Sequence, residues 1–260
     1  MTSRSALRAR LQFYLMRPLP LLLAAYIAAG VLYALSTPTF EASDEVWHYG
    51  FVRELADGRG LPVQVPGVRT SYRQVGSQAP LYYAVAAVLS GWVDDSDFAA
   101  RYVYNPFAQA GVPGTLVNAN LLRHGAEESF PWHGTTLAVY VLRGFSLLLG
   151  AGTVALVWLL ALELYPQRAG LALLAAALAA FNPMFLFISA SVSNDNAVWF
   201  VSTALLVLLA RAARCLAVAL LRRAGGVGWR LAVGCARTRA ARRRYMAGAP
   251  ASAGLTRQLS

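Results

Sequence analysis

The sequence predicts an all-α polytopic membrane protein, with about four transmembrane helices and a large extracytoplasmic loop that contains short interfacial helices. Three observations lead there. The chain is 57% hydrophobic and 13% charged, with a mean hydropathy of +0.48, whereas a soluble domain carries roughly a quarter charged residues. Four stretches are apolar over lengths near the ~20 residues that a helix needs to cross a bilayer core. Ten of the twelve acids fall in one segment, residues 37–136, between the first and second of those stretches.

Taken in order, residues 1–17 are a cytoplasmic N-terminus carrying Arg4, Arg8, Arg10 and Arg17. Residues 18–36 form the first span, and the arginines before it with acids after it place the N-terminus inside. A cleaved signal peptide ending near Ala34-Leu35-Ser36 is the rival, but a signal's apolar core is typically ~7–15 residues and this one is longer. Residues 37–136 are the extracytoplasmic loop, punctuated by Gly58, Gly60, Pro62, Pro66 and Gly67. Within it, Ala79–Val93 is apolar but too short to span comfortably. It reads as a helix in the interface or packed on the bundle, with Pro80 in its first turn. Tyr82, Tyr83 and Trp92 suit the headgroup level, and Asp94, Asp95 and Asp97 read as a solvated cluster.

Residues 137–212 hold the second to fourth spans. Leu137–Leu164 is interrupted only by Arg143 and Glu163, and Pro166 ends it in a tight turn. Ala169–Ser189 is the third, with a kink expected at Asn182–Pro183. After a polar return over Ser189–Asn196, Ala197–Ala210 is the fourth, extending toward Leu221 around Arg211 and Arg214. The C-terminus is then cytoplasmic as well.

Residues 213–260 are a basic tail of a different kind. From 211 onward there are 11 arginines and no acid, and the whole chain has no lysine. A basic block beside a membrane marks the cytoplasmic side and can touch anionic lipid. Nucleic acid is not expected as a partner, because an apolar segment leads straight into the block. The composition is that of a chain that buries no core, or of GC-rich sequence read out of frame. Cys215 and Cys235 show no metal-site or redox spacing.

The chemistry-bearing residues gather just after the first span, in Pro38-Thr-Phe-Glu-Ala-Ser-Asp-Glu-Val-Trp-His-Tyr49. Asp44 and Glu45 are neighbouring carboxylates that could share a metal, or act as a base and its orienting partner. His48 follows Asp44 by four residues, so on a helix the two share a face and could ligate a divalent cation. The plainer reading stays open beside it: Ser43 caps a helix, and both acids sit in its first turn, where the helix dipole favours them. Arg143 is either a cation for a ligand at the outer boundary or an arginine snorkelling to the headgroups. Asp195 is either a first-turn acid or a partner for Arg143.

The order of these motifs resembles the GT-C superfamily of membrane glycosyltransferases, of the protein O-mannosyltransferase and aminoarabinose-transferase type. The residues that carry the likeness are Asp44-Glu45, His48, Gln78-Ala-Pro-Leu-Tyr-Tyr83, Leu142-Arg-Gly-Phe-Ser-Leu-Leu-Leu-Gly150, Asn182-Pro183 and Ser193-Asn-Asp-Asn196. They span roughly residues 10–212, and such proteins carry many more spans, so the likeness is to an N-terminal part. It implies transfer of a sugar from a polyprenyl-phosphate-linked donor to an acceptor hydroxyl on the extracytoplasmic face. Asp44 and Glu45 would be catalytic, with Asp44 as base or metal ligand. His48, Gln78, Tyr82, Tyr83, Arg143 and Asp195 would bind substrate, and Asp44 with His48 would hold a divalent metal ion. The competing class is a non-catalytic membrane protein or subunit that uses the outer loop for binding. A transporter would instead carry its ionisable residues near the bilayer midplane.

Overall fold

The computed structural model describes residues 18–109, 114 and 120–223, with side chains as far as 220. Among these residues it is helical, with no strand and a single antiparallel bridge between Tyr104 and Leu122. The basic tail beyond 223 lies outside the described residues. Helix α1 is Pro18–Ser36, α2 Glu45–Ala56, α3 Leu81–Ser90, α4 Phe98–Arg101, α5 Gly134–Leu164, α6 Ala169–Ala180, α7 Pro183–Ser189 and α8 Asp195–Arg223. Short 3₁₀ turns stand at Arg73–Ser77 and Ala126–Glu128.

Helices α1, α5 and α8 are long and apolar enough to cross a membrane, and the bent pair α6–α7 makes a fourth if it is one span. The bend is 64° and falls where Asn182–Pro183 predicts it. Proline has no N–H to continue the first helix, but suits the first turn of the next. Asn182 caps that next helix, its Oδ1 accepting from the N–H groups of Met184 (3.0 Å) and Phe185 (3.1 Å). Asn182→Ala removes this cap and is expected to cost about 1 kcal/mol, read as a lowered unfolding midpoint in detergent with helix content unchanged.

Two compact units divide the chain. One comprises the described residues of Met1–Leu22, Ala155–Ala177 and Thr203–Ser260. Its interior includes Trp158, Ala172 and Ala176. Glu163, 5% exposed on its side chain, receives Arg211 at 2.9 Å and also Arg214. These contacts accompany the run of α8 past Ala210 to Arg223, the extension around Arg211 and Arg214 that the sequence allows. The two arginines that look like an interruption meet a carboxylate from α5.

The other unit, Leu23–Val154 and Leu178–Ser202, holds the candidate chemistry. Its core is built where α2 meets α3, with the rings of Phe51 and Tyr83 stacked at 3.9 Å. Phe40, Val52, Val139 and Leu142 complete it. Helices α1 and α7 approach α5 closely at Gly150, where a Cβ would run into the Tyr26 hydroxyl and Ser189. The glycine that ends the Leu142–Gly150 motif is thus a contact requirement.

Two expectations about the segment between the first two spans change. Tyr82 and Tyr83 are 3% and 0% exposed, so they belong to the core and not to a headgroup belt. Trp92 and Val88 of the same region are exposed. The aspartates after α3 are engaged, not simply solvated. Asp95 accepts from the Tyr49 hydroxyl at 2.6 Å and lies 2.7 Å from Arg53 Nε. Asp97 accepts from the N–H and hydroxyl of Thr135 at 2.8 and 2.7 Å, holding the start of α5.

Candidate functional site

Asp44 is the N-cap of α2, at φ 58° and ψ 2°. A non-glycine residue rarely occupies this left-handed region, although Asp and Asn tolerate it best. Its carbonyl accepts from the N–H groups of Trp47 (2.9 Å) and His48 (3.0 Å). Its side chain does not cap the helix and is exposed. Among the described residues the carboxylate has no hydrogen bond and no ion pair. The expected cap, Ser43, is displaced by one residue, because the turn at Asp44 starts the helix at Glu45.

The neighbouring Glu45 does the opposite. It is fully buried, and both its oxygens are saturated. Oε1 accepts from Arg143 Nε (2.9 Å) and the Val192 N–H (2.9 Å). Oε2 accepts from the Arg143 terminal N–H (2.6 Å) and the Phe40 N–H (3.0 Å). Arg143, 1% exposed, spends its remaining N–H groups on the carbonyls of Ala34 (2.7 Å), Thr37 (2.7 Å) and Pro38 (3.0 Å). A guanidinium has five N–H groups, and all are used here. This corrects two expectations. Glu45 has no free oxygen with which to act on a substrate or a metal. Arg143 has no N–H left for a donor phosphate, is not snorkelling, and pairs with Glu45 instead of Asp195. Together they are a structural tie among α1, α2, α5 and the segment before α8.

His48, Gln78 and Tyr83 do come together. The Tyr83 hydroxyl donates to Gln78 Oε1, so the His48 Nδ1–H donates to the Tyr83 oxygen at 2.8 Å. That chain fixes the tautomer and leaves His48 Nε2 as a lone-pair acceptor. Burial pushes the His48 imidazole down to about 4, against the opposing pull of the Glu45 charge. It is therefore neutral near pH 7. The Tyr83 phenol is pushed up, first by burial, then by Tyr82 and by the charge of Asp195. Asp195 is exposed at the first position of α8. Tyr82 turns the other way and shares a hydrogen bond of 2.8 Å with Ser146 of the Leu142–Gly150 motif. Among the described residues no group of three or more His, Cys, Asp or Glu could hold a metal ion. With His48 Nδ1 engaged, Asp44 and His48 Nε2 are the two ligand atoms that remain of the expected set.

A second histidine was missed from the sequence. His124 stands between two carboxylates, Nε2 at 2.8 Å from Glu41 Oε1 and Nδ1 at 2.8 Å from Glu128 Oε1. Both nitrogens can donate only as the imidazolium. Burial would lower its pKa, but the hydrogen bonds and charges of Glu41 and Glu128 outweigh burial and raise it. Its four-residue spacing from Glu128 was the available signal. Glu41 also accepts from the N–H groups of Leu121 (3.0 Å) and Leu122 (2.8 Å).

The two histidines predict a two-sided pH dependence. Unfolded His48 takes up its proton near 6.5 and folded His48 only near 4. Its contribution is complete above 6.5 and lost as pH falls toward 4, by about 3 kcal/mol at 1.36 kcal/mol per unit. His124 has the opposite sign: its contribution is complete below 6.5 and lost as pH rises through the raised folded value. Thermal unfolding in detergent across pH is expected to show both flanks. His48→Gln should flatten the acid flank and His124→Gln the alkaline one. Loss of amide protection at Leu121 and Leu122, measured against the intrinsic exchange rate at each pH, is expected on the alkaline side only.

Comparisons of the chain with protein-family models, with curated proteins and with solved structures find no match.

Proposed function

We propose that the protein is a membrane glycosyltransferase, or the N-terminal part of one, that moves a sugar from a polyprenyl-phosphate-linked donor to an acceptor hydroxyl on the extracytoplasmic face. Asp44 acts as general base: it takes the acceptor proton as that oxygen bonds to the sugar's anomeric carbon. The anomeric carbon–phosphate oxygen bond breaks, and polyprenyl phosphate leaves. The observation that carries the reading is the strained, exposed and unpartnered Asp44 carboxylate. Left-handed backbone at a non-glycine residue costs of order 1 kcal/mol and persists where the surroundings impose it. Here the side chain does not recover that cost by capping, so its direction is what the turn secures. His48, four residues after Asp44, is the fourth residue of the same helix, and its Nε2 is left as an acceptor. A divalent ion, if one took part, would be held by Asp44 and His48 Nε2 and would draw the donor phosphate's charge.

The apolar helices suit a polyprenyl tail, and an exposed polar residue such as Asp44 suits a sugar. The test is release of free polyprenyl phosphate from a polyprenyl-phosphate-linked hexose, in membranes that contain the chain. This readout needs no knowledge of the acceptor. Release above that of membranes without the chain is expected. Its absence over several donor sugars would leave the binding-subunit reading in possession.

A further inference from the structure

Residues 58–93 hold three arginines and no acid. Arg59 is accounted for, since it pairs with Glu54 at 3.0 Å and with Asp57. Arg69 and Arg73 are different: among the described residues neither has a carboxylate within ion-pairing distance. Both line a cleft of about 690 Å³.

Arg73 is held in place. Its backbone sits at φ 41°, at the head of the 3₁₀ turn Arg73–Ser77. Its backbone N–H donates to Thr70 Oγ1 at 3.0 Å. The guanidinium lies over the Trp47 ring, 4.7 Å from its centre. It donates to the hydroxyls of Tyr102 (3.4 Å) and Tyr104 (3.2 Å). Trp47, in the first turn of α2, donates from Nε1 to the same Tyr102 hydroxyl at 3.5 Å. A cation stacked on an aromatic face and bonded only to neutral phenols is oriented without being neutralised. Gln64 and Tyr104 add polar atoms to the cleft, while Val65, Pro66 and Val68 form an apolar wall, with Val65 and Val68 more than half exposed.

We infer that this cleft is a binding site for an anion, whose phosphate or carboxylate is held by Arg73 and Arg69 and whose attached group, where it has one, lies along Val65–Val68. Arginine meets such groups with paired, charge-assisted hydrogen bonds. The inference does not rest on the transferase reading, because it follows from two cations without counter-ions and not from Asp44. The anion can belong to a lipid headgroup or to a soluble molecule, and the shared chemistry is the phosphate or carboxylate itself.

The test is isothermal titration of the full chain in neutral detergent with four probes: inorganic phosphate, glucuronate, dihexanoyl phosphatidic acid and dihexanoyl phosphatidylcholine. The anionic probes are expected to bind and the zwitterionic lipid not to. Tighter binding of phosphatidic acid than of phosphate assigns a lipid headgroup, and equal or weaker binding assigns a soluble anion; either supports the site. Arg69→Gln and Arg73→Gly should each weaken binding about tenfold or more, in line with the loss of a charge-assisted pair. Arg73→Gly is chosen because glycine accepts φ 41° without strain, so the backbone is kept while the cation is removed. Failure of all three anions to bind, or binding indifferent to both substitutions, overturns the inference, whatever the outcome of the polyprenyl phosphate assay.

Discussion

Arg143→Leu is expected to destabilise the protein by about 3–5 kcal/mol, the range for removing one partner of a buried ion pair. The geometry sets the size. The substitution leaves Glu45 charged and 0% exposed, and strips the donors from the carbonyls of Ala34, Thr37 and Pro38. Glu45→Gln keeps one amide oxygen but places an NH₂ opposite existing donors, so a loss at the lower end of that range is expected. Lysine does not rescue position 143, because a point charge with three donors cannot reproduce the planar fork that serves four acceptor residues. The double variant Glu45→Leu with Arg143→Leu should cost less than the sum of the single losses, since neither buried charge is then stranded. Unfolding of purified protein in mixed micelles, followed by circular dichroism, reads all of these. An Arg143→Leu midpoint equal to that of the unaltered chain would remove the pair's structural role.

Asp44→Asn is expected to lower polyprenyl phosphate release by about 10²–10⁴-fold, the usual contribution of a positioned base. The same substitution should leave stability within about 0.5 kcal/mol, as for surface changes that break no bond. The contrast follows from its surroundings. The carboxylate makes no bond that the amide would lose, and asparagine tolerates the left-handed backbone as well as aspartate does. Asp44→Ala is the less clean variant, because alanine disfavours φ 58°. Turnover unchanged in Asp44→Asn would retire Asp44 as the base. A loss of turnover matched by a loss of folding would make the residue structural. On the proposed reading, in which Asp44 takes the proton, His48→Gln should give a smaller loss of turnover.

The features legible from the sequence were those written over short distances. Span lengths followed from uninterrupted apolar runs. The break at Asn182–Pro183 followed from one proline and one capping residue, and the structure bends there. The acidic stretch after the first span stood out in the sequence, but the roles within it were not separable. Asp44 and Glu45 are adjacent, so spacing gave them one environment. The left-handed turn at Asp44 sends one carboxylate outward and the other into the core. The partner that decides Glu45, Arg143, lies 98 residues away, beyond any local pattern. Arg143 therefore looked like a free cation, when every N–H was committed. The tyrosines of Gln78–Tyr83 look interfacial in a short apolar helix, and burial against α2 is a tertiary fact. For Arg69 and Arg73 the signal was present as a stretch without acids, and it went unread because the loop also carries turn residues.

The Glu45–Arg143 tie has a consequence for biogenesis. The chain is made from its N-terminus, so residues 34–45 are complete long before Arg143 leaves the ribosome. An arginine entering a bilayer in an isolated helix costs about 2.5–3.5 kcal/mol at the centre on the insertion scale. Here the carbonyls and the carboxylate that meet it have already been delivered, and insertion of α5 can be coupled to docking on them. The last bond, from Val192 to Glu45, joins residues 147 apart in sequence, and so it closes only after the bent third span has been made. The first ligand of this glutamate is thus available early and the last arrives late, which makes the pair a latch that the growing chain sets in stages.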